Sequence, residues 1–213
     1  MGEKKEKTLK NQVYNALFSD IINGLYPADT ILTEKFLMEK YNVSRAPIRE
    51  ALTQLTGTHI LSSIPRQGYK IIQPSRQQLL EIIKFRSALE TSFLESNYIY
   101  ISESWIKELR TICMDYINCP DNDFMAHWHT NCQFHLKLFS IYGNHYAYKL
   151  LEDALNIQTI FFVQKKHSAT MDLHLALVDY LEKKEVEMAV TILKADIENL
   201  LLPSTAPTPV KQK

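Results

Sequence analysis

The sequence predicts a mainly α-helical protein with two domains. Only five of the 213 residues are Gly, and long stretches contain neither Gly nor Pro, which favours helices over sheets. Two short β-prone runs lie between residues 60 and 72 and give the sequence its sheet signal. A Gln-Pro-Ser break at residues 73–75 then separates this first segment from a longer helical one.

The composition indicates a globular protein. Hydrophobic residues make up 46% and charged residues 23%, values typical of chains that bury real cores. There is no apolar run long enough to cross a bilayer and no apolar stretch behind the charged N-terminus, so we expect a cytoplasmic protein without a membrane partner. Three cysteines without CxxC spacing argue against a disulfide framework and a zinc ribbon.

Three helices are predicted in the first segment. Apolar residues recur at helical spacing from Val13, and Gly24 followed by Pro27 ends that helix. Thr33 can cap a short second helix, and Ser44 can cap a third. Pro47 falls in the first turn of the third helix, where its missing N–H costs no intrahelical bond.

The outer face of the third helix is predicted to be basic. Ile48, Ala51, Leu52 and Leu55 form its buried stripe, which leaves Arg49 facing outward and Arg45 on the flank. An isolated helix of this kind is also compatible with an ordinary solvated surface. The net charge is a weak guide, since residues 1–74 hold ten Lys/Arg against seven Asp/Glu in a chain of zero net charge.

The order of elements favours DNA binding. The β-prone runs after Gly57 flank the turn Pro65-Arg66-Gln67-Gly68, so they predict a hairpin, or wing. In a winged helix-turn-helix the third helix enters the major groove and the wing reaches backbone or minor groove. Arginine can bond guanine bidentately or clamp a phosphate. The predicted DNA contacts are Lys35, Ser44, Arg45, Ala46, Arg49, Arg66, Gln67 and Gly68.

This first third of the chain resembles the GntR family of bacterial regulators. The resemblance rests on Leu32-Thr33-Glu34-Lys35-Phe36-Leu37 and on the specific run VSRxPIREAL at residues 43–52. It implies a homodimer that binds a palindromic operator in double-stranded DNA through the positions of Lys35, Arg45, Arg49 and Gly68. The family usually has Arg where Lys35 stands, so a bidentate contact there becomes a point charge.

The predicted domains are a winged helix-turn-helix over residues 1–73, an all-helical effector-binding and dimerisation domain over 75–202, and a disordered tail over 203–213. Ser75 can cap the first helix of the second domain. Breaks near Ser102, residues 118–120, residues 142–144, Ser168 and Lys184 predict about six helices there. The proline-rich tail predicts disorder.

A polar stripe in the second domain is a candidate metal site. Asp123, His127, Asn131 and His135 follow one another at spacing i, i+4, which places them on one helix face. His174 and Asp196 lie among apolar residues on later helices and are predicted to face inward. Ligands converging from helices in a bundle core are a common way to bind a divalent metal. From spacing alone, surface histidines or satisfied core histidines explain the pattern better than a metal site does.

Residues 75–202 resemble the FCD ligand-binding domain of FadR-type GntR regulators. The matching pattern contains Asn131-x-x-Phe134-His135, Gly143-Asn144, His174 and Asp196, and Arg86 with Glu90 matches the RxxLE of the opening helix. The short six-helix form is similar to the VanR subgroup. The resemblance implies a Zn, Ni or Mn ion that binds the carboxylate of an organic-acid effector.

The implied ligand set departs from the family pattern at two of four positions. Asn131 stands where Asp is usual and Asp196 where His is usual, while His135 and His174 match. The sequence leaves open a loosely held metal, recruitment of His127, or a metal-free pocket. Arg86 is either a partner for an effector carboxylate or the ion-pair partner of Glu90. The candidate metal ligands are Asn131, His135, His174 and Asp196. The candidate effector-binding residues are Arg86, His127, Asn131, His135 and His174.

We therefore expect a ligand-responsive transcriptional regulator, with repression as the expected mode and an organic or sugar acid as effector. A metal-dependent helical enzyme with a DNA-binding-like appendage is the alternative. The sequence contains no HExxH, GxSxG or phosphate-binding glycine loop that would favour such an enzyme. A helical interaction module that has lost DNA binding is disfavoured by the basic residues at 45, 49 and 66.

Overall fold

The structure is a computed structural model that describes residues 9–27, 29–120, 123–164 and 172–199. The first part of the chain folds into three helices and a small antiparallel sheet with strand order β1-β3-β2. These elements are α1 (Leu9–Ile22), β1 (Ile31–Leu32), α2 (Glu34–Tyr41), α3 (Arg45–Gly57), β2 (Leu61–Ile64) and β3 (Gly68–Ile71). The architecture is the predicted winged helix-turn-helix.

Local chemistry explains where α2 and α3 begin. The Thr33 hydroxyl accepts a hydrogen bond from the backbone N–H of Phe36 at 3.2 Å, so the predicted cap of α2 is present. Asn42 then ends α2 in a left-handed conformation with φ of 52°, which an Asn tolerates better than most residues. Ser44 occupies the N-cap position of α3, but its side chain makes no capping bond there. Its hydroxyl therefore contributes little to the start of α3.

Strand β1 was not predicted from the sequence. It pairs with β3 through only two residues, Ile31 opposite Lys70 and Leu32 opposite Tyr69. The predicted hairpin of β2 and β3 is present, with Ser63 opposite Tyr69. Because β1 supplies a third strand, the wing is attached to the body of the domain along one edge of β3.

Six α-helices follow in the described part of the second segment, as predicted. They are α4 (Arg76–Asn97), α5 (Glu103–Ile117), α6 (Phe124–Ser140), α7 (His145–Gln164), α8 (Asp172–Glu182) and α9 (Val186–Asn199), with a short 3-10 helix at Tyr98–Tyr100. Ser75 caps α4 in a capping box with Gln78. The predicted break near Ser168 and the tail at 203–213 lie outside the described residues.

Two large buried apolar clusters form the main cores, and a smaller third one lies between α6 and α7. One main core lies in the winged domain between α1, α2, α3 and the sheet, and the other lies between helices α4 to α9. Each main core contains one residue from the other segment: Ile160 of α7 lies in the winged-domain core, and Ile22 of α1 lies in the helical core. Both side chains are at most 1% exposed. The packing therefore crosses the predicted boundary at 73–75.

Candidate functional site

The exposed face of α3 carries the predicted arginines. Arg45 and Arg49 are 63% and 60% exposed, and Ala46 is exposed between them. Both arginines also meet one carboxylate of α2: Arg49 Nε lies 2.6 Å from Glu34 Oε1, and Arg45 Nε lies 3.3 Å from Glu34 Oε2. Glu34 raises the pKa of Arg49. One acidic side chain thus sets the spacing of two cationic groups on the surface that helix-turn-helix proteins present to DNA.

The wing places three more predicted residues at its tip. Arg66 and Gln67 are exposed, and Arg66 adopts a left-handed backbone with φ of 64°. Lys35 is exposed on α2. Gly68 is half-buried, with φ of 139°, and a Cβ there would lie 2.5 Å from the backbone oxygen of Leu32. The structure gives Gly68 a packing role against β1, beside the DNA-contacting role that the sequence predicts for it.

Three side chains from three helices of the second segment converge in its core. His135 Nε2 of α6 and His174 Nε2 of α8 are 3.3 Å apart, and Asp196 Oδ2 of α9 lies 3.2 Å from the former and 3.0 Å from the latter. The histidines are at most 1% exposed and the Asp196 side chain 9%. We call these three residues the His-His-Asp cluster.

The separations in the His-His-Asp cluster fit a metal ion. With bonds of about 2.0–2.2 Å, neighbouring ligand atoms lie about 2.9 Å apart in an octahedral site and about 3.3 Å apart in a tetrahedral one. Two imidazoles and one carboxylate form a donor set that Zn²⁺, Ni²⁺ and Mn²⁺ accept. A single cation would satisfy all three lone pairs at once.

A chain of buried polar contacts extends from His135 to α7. His135 Nδ1 lies 2.7 Å from Glu90 Oε2, and Arg86 Nε donates to Glu90 Oε1 at 2.8 Å. Arg86 Nη1 donates to Gln158 Oε1 at 2.6 Å. Arg86, Glu90 and Gln158 are all at most 2% exposed. The Arg86–Glu90 ion pair that the sequence left as one alternative is therefore present.

The charges in this region support one another. Burial alone would raise the pKa of Glu90, but Arg86 and His135 lower it below the usual value. The two histidines likewise outweigh burial and hold the pKa of Asp196 far below its usual range. Burial lowers the pKa of His174, so this ring is neutral near pH 7. A neutral imidazole beside an ionised carboxylate is the state that binds a metal.

The remaining candidates of the polar stripe have different surroundings. Asn131 is buried one turn before His135, and its Nδ2 has no hydrogen-bond partner among the described residues. His127 is buried, but it lies outside the His-His-Asp cluster, with its ring stacked on Tyr116 of α5 at 4.5 Å. Asp123 is wrong as a member of the stripe, because it precedes α6 and caps it by accepting from the Ala126 N–H at 2.9 Å.

Sequence reasoning missed Gln158 and the role of Glu34. Gln158 belongs to no motif, and the available signal was a polar side chain at a position of α7 flanked by the apolar Leu155 and Ile160. Its Nε2, like Arg86 Nη2, has no partner among the described residues.

A separate surface cleft of about 830 Å³ lies between the start of α5 and the α8–α9 junction, lined by Ile106, Arg110 and Leu181 among others. None of the lining residues was predicted as a site.

Two family models match the chain. The model of "Bacterial regulatory proteins, gntR family" matches residues 9–71, and the model of the FCD domain matches residues 81–199. The chain belongs to the GntR family and carries an FCD domain. This confirms the family predicted from the sequence, and because the GntR family consists of regulatory proteins, it decides against the enzyme alternative. The VanR-like subgroup stays a prediction.

Several curated relatives of this GntR-family chain are named as repressors. The HTH-type transcriptional repressor GlaR of Escherichia coli is 25% identical over 144 residues, which cover 65% of this chain and 66% of GlaR. The gluconate operon transcriptional repressor of Bacillus subtilis is 34% identical over 92 residues, which cover 43% of this chain and 37% of the relative. The matched part of the chain thus spans less than two thirds of these relatives' length.

Solved structures share the fold over nearly the whole chain. Escherichia coli McbR/YncC superposes with a TM-score of 0.74 at 20% identity, covering 91% of this chain and 95% of that one. A GntR regulator from Rhodococcus sp. RHA1 superposes with a TM-score of 0.72 at 19% identity, covering 90% of this chain and 94% of that one.

Among the described residues, no helix has the length and apolar character needed to cross a membrane.

Proposed function

We propose that this protein is a cytoplasmic, ligand-responsive transcriptional repressor that binds a palindromic operator as a homodimer. The observation that carries the proposal is the exposed Arg45 and Arg49 pair on α3 beside the wing, in a chain whose second segment holds the His-His-Asp cluster. The names of GlaR and of the gluconate operon repressor support the repressor role.

In this proposal α3 lies in the major groove of the operator. Arg45 and Arg49 contact base edges, and the Ser44 end of α3 faces a phosphate with its free N–H groups. Lys35 and Arg66 contact phosphates. The ammonium group of Lys35 acts as a point charge, whereas the planar guanidinium of Arg66 can donate two hydrogen bonds at once. Two copies related by a twofold axis place two such helices on half-sites about one helical turn apart. Light scattering on the purified protein measures the proposed dimer directly.

The His-His-Asp cluster is proposed to hold one divalent transition metal. His135, His174 and Asp196 supply three ligands, and Asn131 is a candidate weak fourth through its amide oxygen. When bound, the metal supplies a Lewis-acidic position for the carboxylate of an organic or sugar acid. Arg86 Nη2 and Asn131 Nδ2, both buried and without partners among the described residues, can donate to acceptor oxygens of that acid.

Helix α7 provides a route from the residues around the His-His-Asp cluster to the DNA-binding domain. Gln158 of α7 accepts from Arg86, and Ile160, two residues later, lies in the winged-domain core. An effector that displaces the Arg86–Gln158 bond therefore acts on a helix that both cores share. Such a ligand changes operator affinity by as much as it discriminates between the two arrangements of α7.

An operator-selection experiment tests the DNA-binding part. The full-length protein selects sequences from a random duplex library, and the affinity of Arg49→Ala for the selected sequence is compared with that of wild type. We expect a loss of about 5- to 150-fold, the worth of one bidentate base contact. Arg76→Ala, which removes an exposed arginine from the start of α4, is the matched control. Unchanged affinity and footprint for Arg49→Ala would show that α3 is not the reading helix.

A metal-binding experiment tests the second part. Elemental analysis of the purified protein is combined with melting curves in Zn²⁺, Ni²⁺ or Mn²⁺. Metal at a hundredfold excess over Kd stabilises the native state by about 2.7 kcal/mol, so the melting temperature rises. His135→Ala and His174→Ala abolish that rise, whereas the control His129→Ala, on the exposed side of α6, retains it. A rise that persists in both cluster variants places the metal elsewhere.

A further inference from the structure

We propose that Glu90 is a positioning residue that fixes the ring nitrogen with which His135 binds the metal, and that Arg86 holds Glu90 in place. The inference deepens the proposed metal centre and rests on it. It assigns separate tasks to the two charged residues of the RxxLE motif, where the sequence offered one ion pair or one effector contact.

The two oxygens of Glu90 have different partners. Oε1 accepts from Arg86 Nε at 2.8 Å, and Oε2 lies 2.7 Å from His135 Nδ1. An ionised carboxylate has no proton to give, so Nδ1 must be the donor in this contact. In the neutral ring Nε2 then carries the lone pair, and Nε2 is the atom that lies 3.2 Å from Asp196 Oδ2 and 3.3 Å from His174 Nε2.

Burial makes this arrangement specific. Glu90 is 2% exposed and His135 1%, so water does not compete for either contact. A simple ion pair between Arg86 and Glu90 would need only one carboxylate oxygen. The second oxygen is used on the histidine, which is the carboxylate–histidine–metal arrangement by which proteins orient metal-binding imidazoles.

Arg86 is itself held from two helices. Its Nε bonds Glu90 one turn later on α4, and its Nη1 bonds Gln158 Oε1 of α7 at 2.6 Å. Two of its three nitrogens are thereby used inside the protein. Nη2 alone has no partner among the described residues, so Arg86 can offer an effector one terminal nitrogen and not a bidentate fork.

The tautomer of His135 gives a test that needs no metal. In the metal-free protein, labelled with ¹⁵N-histidine and held at a pH at which the His135 ring is neutral, long-range NMR correlations show which ring nitrogen carries the proton. We expect the Nδ1–H form in wild type and a shift toward a mixture of tautomers in Glu90→Gln, which replaces the anionic acceptor by a neutral amide. Predominance of Nε2–H in wild type, or the same spectrum in both proteins, overturns the proposal.

Metal affinity gives the second test. Competition with a chromophoric chelator measures the Zn²⁺ Kd of full-length protein, and we expect Glu90→Gln to weaken binding about 10- to 100-fold, with Glu90→Asp intermediate. Co²⁺ substituted at the site is expected to change its visible spectrum in the same variants. The control Glu198→Gln removes another partly buried carboxylate, which accepts a hydrogen bond from Ser87 at 2.8 Å, and should leave the Zn²⁺ Kd unchanged.

The outcomes separate this inference from the proposed function. If wild type binds Zn²⁺, His135→Ala abolishes binding and folded Glu90→Gln equals wild type, the metal centre stands and the positioning role of Glu90 is wrong. If wild type binds no Zn²⁺, the proposed metal centre fails and this inference fails with it. A weakened Kd in a Glu90→Gln protein that melts as a folded chain, together with unchanged Glu198→Gln, supports the inference.

Discussion

Replacing Gly68 by alanine should destabilise the wing through its contact with β1. An added Cβ would lie 2.5 Å from the backbone oxygen of Leu32 and 3.1 Å from Cγ2 of Ile31, and neither the strand nor its carbonyl can swing aside as a flexible side chain could. The φ of 139° is a second obstacle, because L-residues rarely adopt it. Backbone strain of about 1–3 kcal/mol and a comparable overpacking cost together predict a loss of about 2–6 kcal/mol.

Thermal denaturation followed by circular dichroism measures this loss. For a chain of this size, 1 kcal/mol shifts the melting temperature by about 2–4 °C, so Gly68→Ala should melt about 4–24 °C below wild type. Gly57→Ala is the matched control, because no heavy atom lies within 4 Å of a Cβ added there. That variant should melt at or slightly above the wild-type temperature. A Gly68→Ala protein that melts together with Gly57→Ala would refute the close approach of β1 to the wing.

Three further predictions concern packing, thiols and caps. Ile160→Ala should cost about 2–5 kcal/mol and speed amide hydrogen exchange in α1 and α3, which mass spectrometry detects; an effect confined to the C-terminal helices would contradict the shared core. Burial raises the pKa of Cys113 to about 12, so at pH 8 this thiol should react with iodoacetamide about a thousandfold more slowly than an ordinary thiol. The half-buried Cys119 should therefore be labelled before Cys113. Equal labelling rates of the two cysteines in peptide mapping would argue against the burial of Cys113. Thr33→Ala should lose about 1 kcal/mol in urea titrations, whereas Ser44→Ala, which removes no capping bond, should lose little stability, and equal losses would show that Ser44 also caps.

Most of the fold could be predicted because the positions of its helices depend on residues that are close together in the sequence. Caps, apolar periodicity and breaks place the helices within a few residues, since each depends on neighbours in the sequence. Strand β1 could not be found in this way. Two residues carry no periodicity, and Ile31 and Leu32 form a strand only because β3 lies beside them in the folded protein.

The site was predictable where spacing constrains it. His135 was selected from the polar stripe of one helix, and His174 and Asp196 were selected as inward-facing residues among apolar neighbours. The structure brings the ligand atoms of these three residues together. Spacing also placed Asp123 and His127 on the stripe, although one is a cap and the other stacks on Tyr116. Which side chains meet a given polar group depends on how helices cross, and that is set by tertiary packing.

Glu34 shows the same limit on the DNA-binding face. In the sequence it was a helix-two residue, read for its place in the motif beside Lys35. The structure shows its carboxylate joined to arginines that are 11 and 15 residues further along the chain. A contact between two helices of a turn requires their crossing geometry, which no single helix pattern contains.

Ile160 of α7 packs in the winged-domain core and Ile22 of α1 packs in the helical core. This cross-packing affects how the domains of different GntR regulators can be joined in one chain. A chimera that joins this winged domain to the helical domain of another GntR regulator at residues 73–75 would bring a foreign side chain into the space of Ile160 and leave Ile22 facing a foreign core. A functional hybrid therefore needs compatible residues in α1 and α7 as well as a suitable linker. A hybrid regulator joined only at the linker would have poorly fitting side chains at positions 22 and 160. Replacing both residues to match the new cores would remove this misfit.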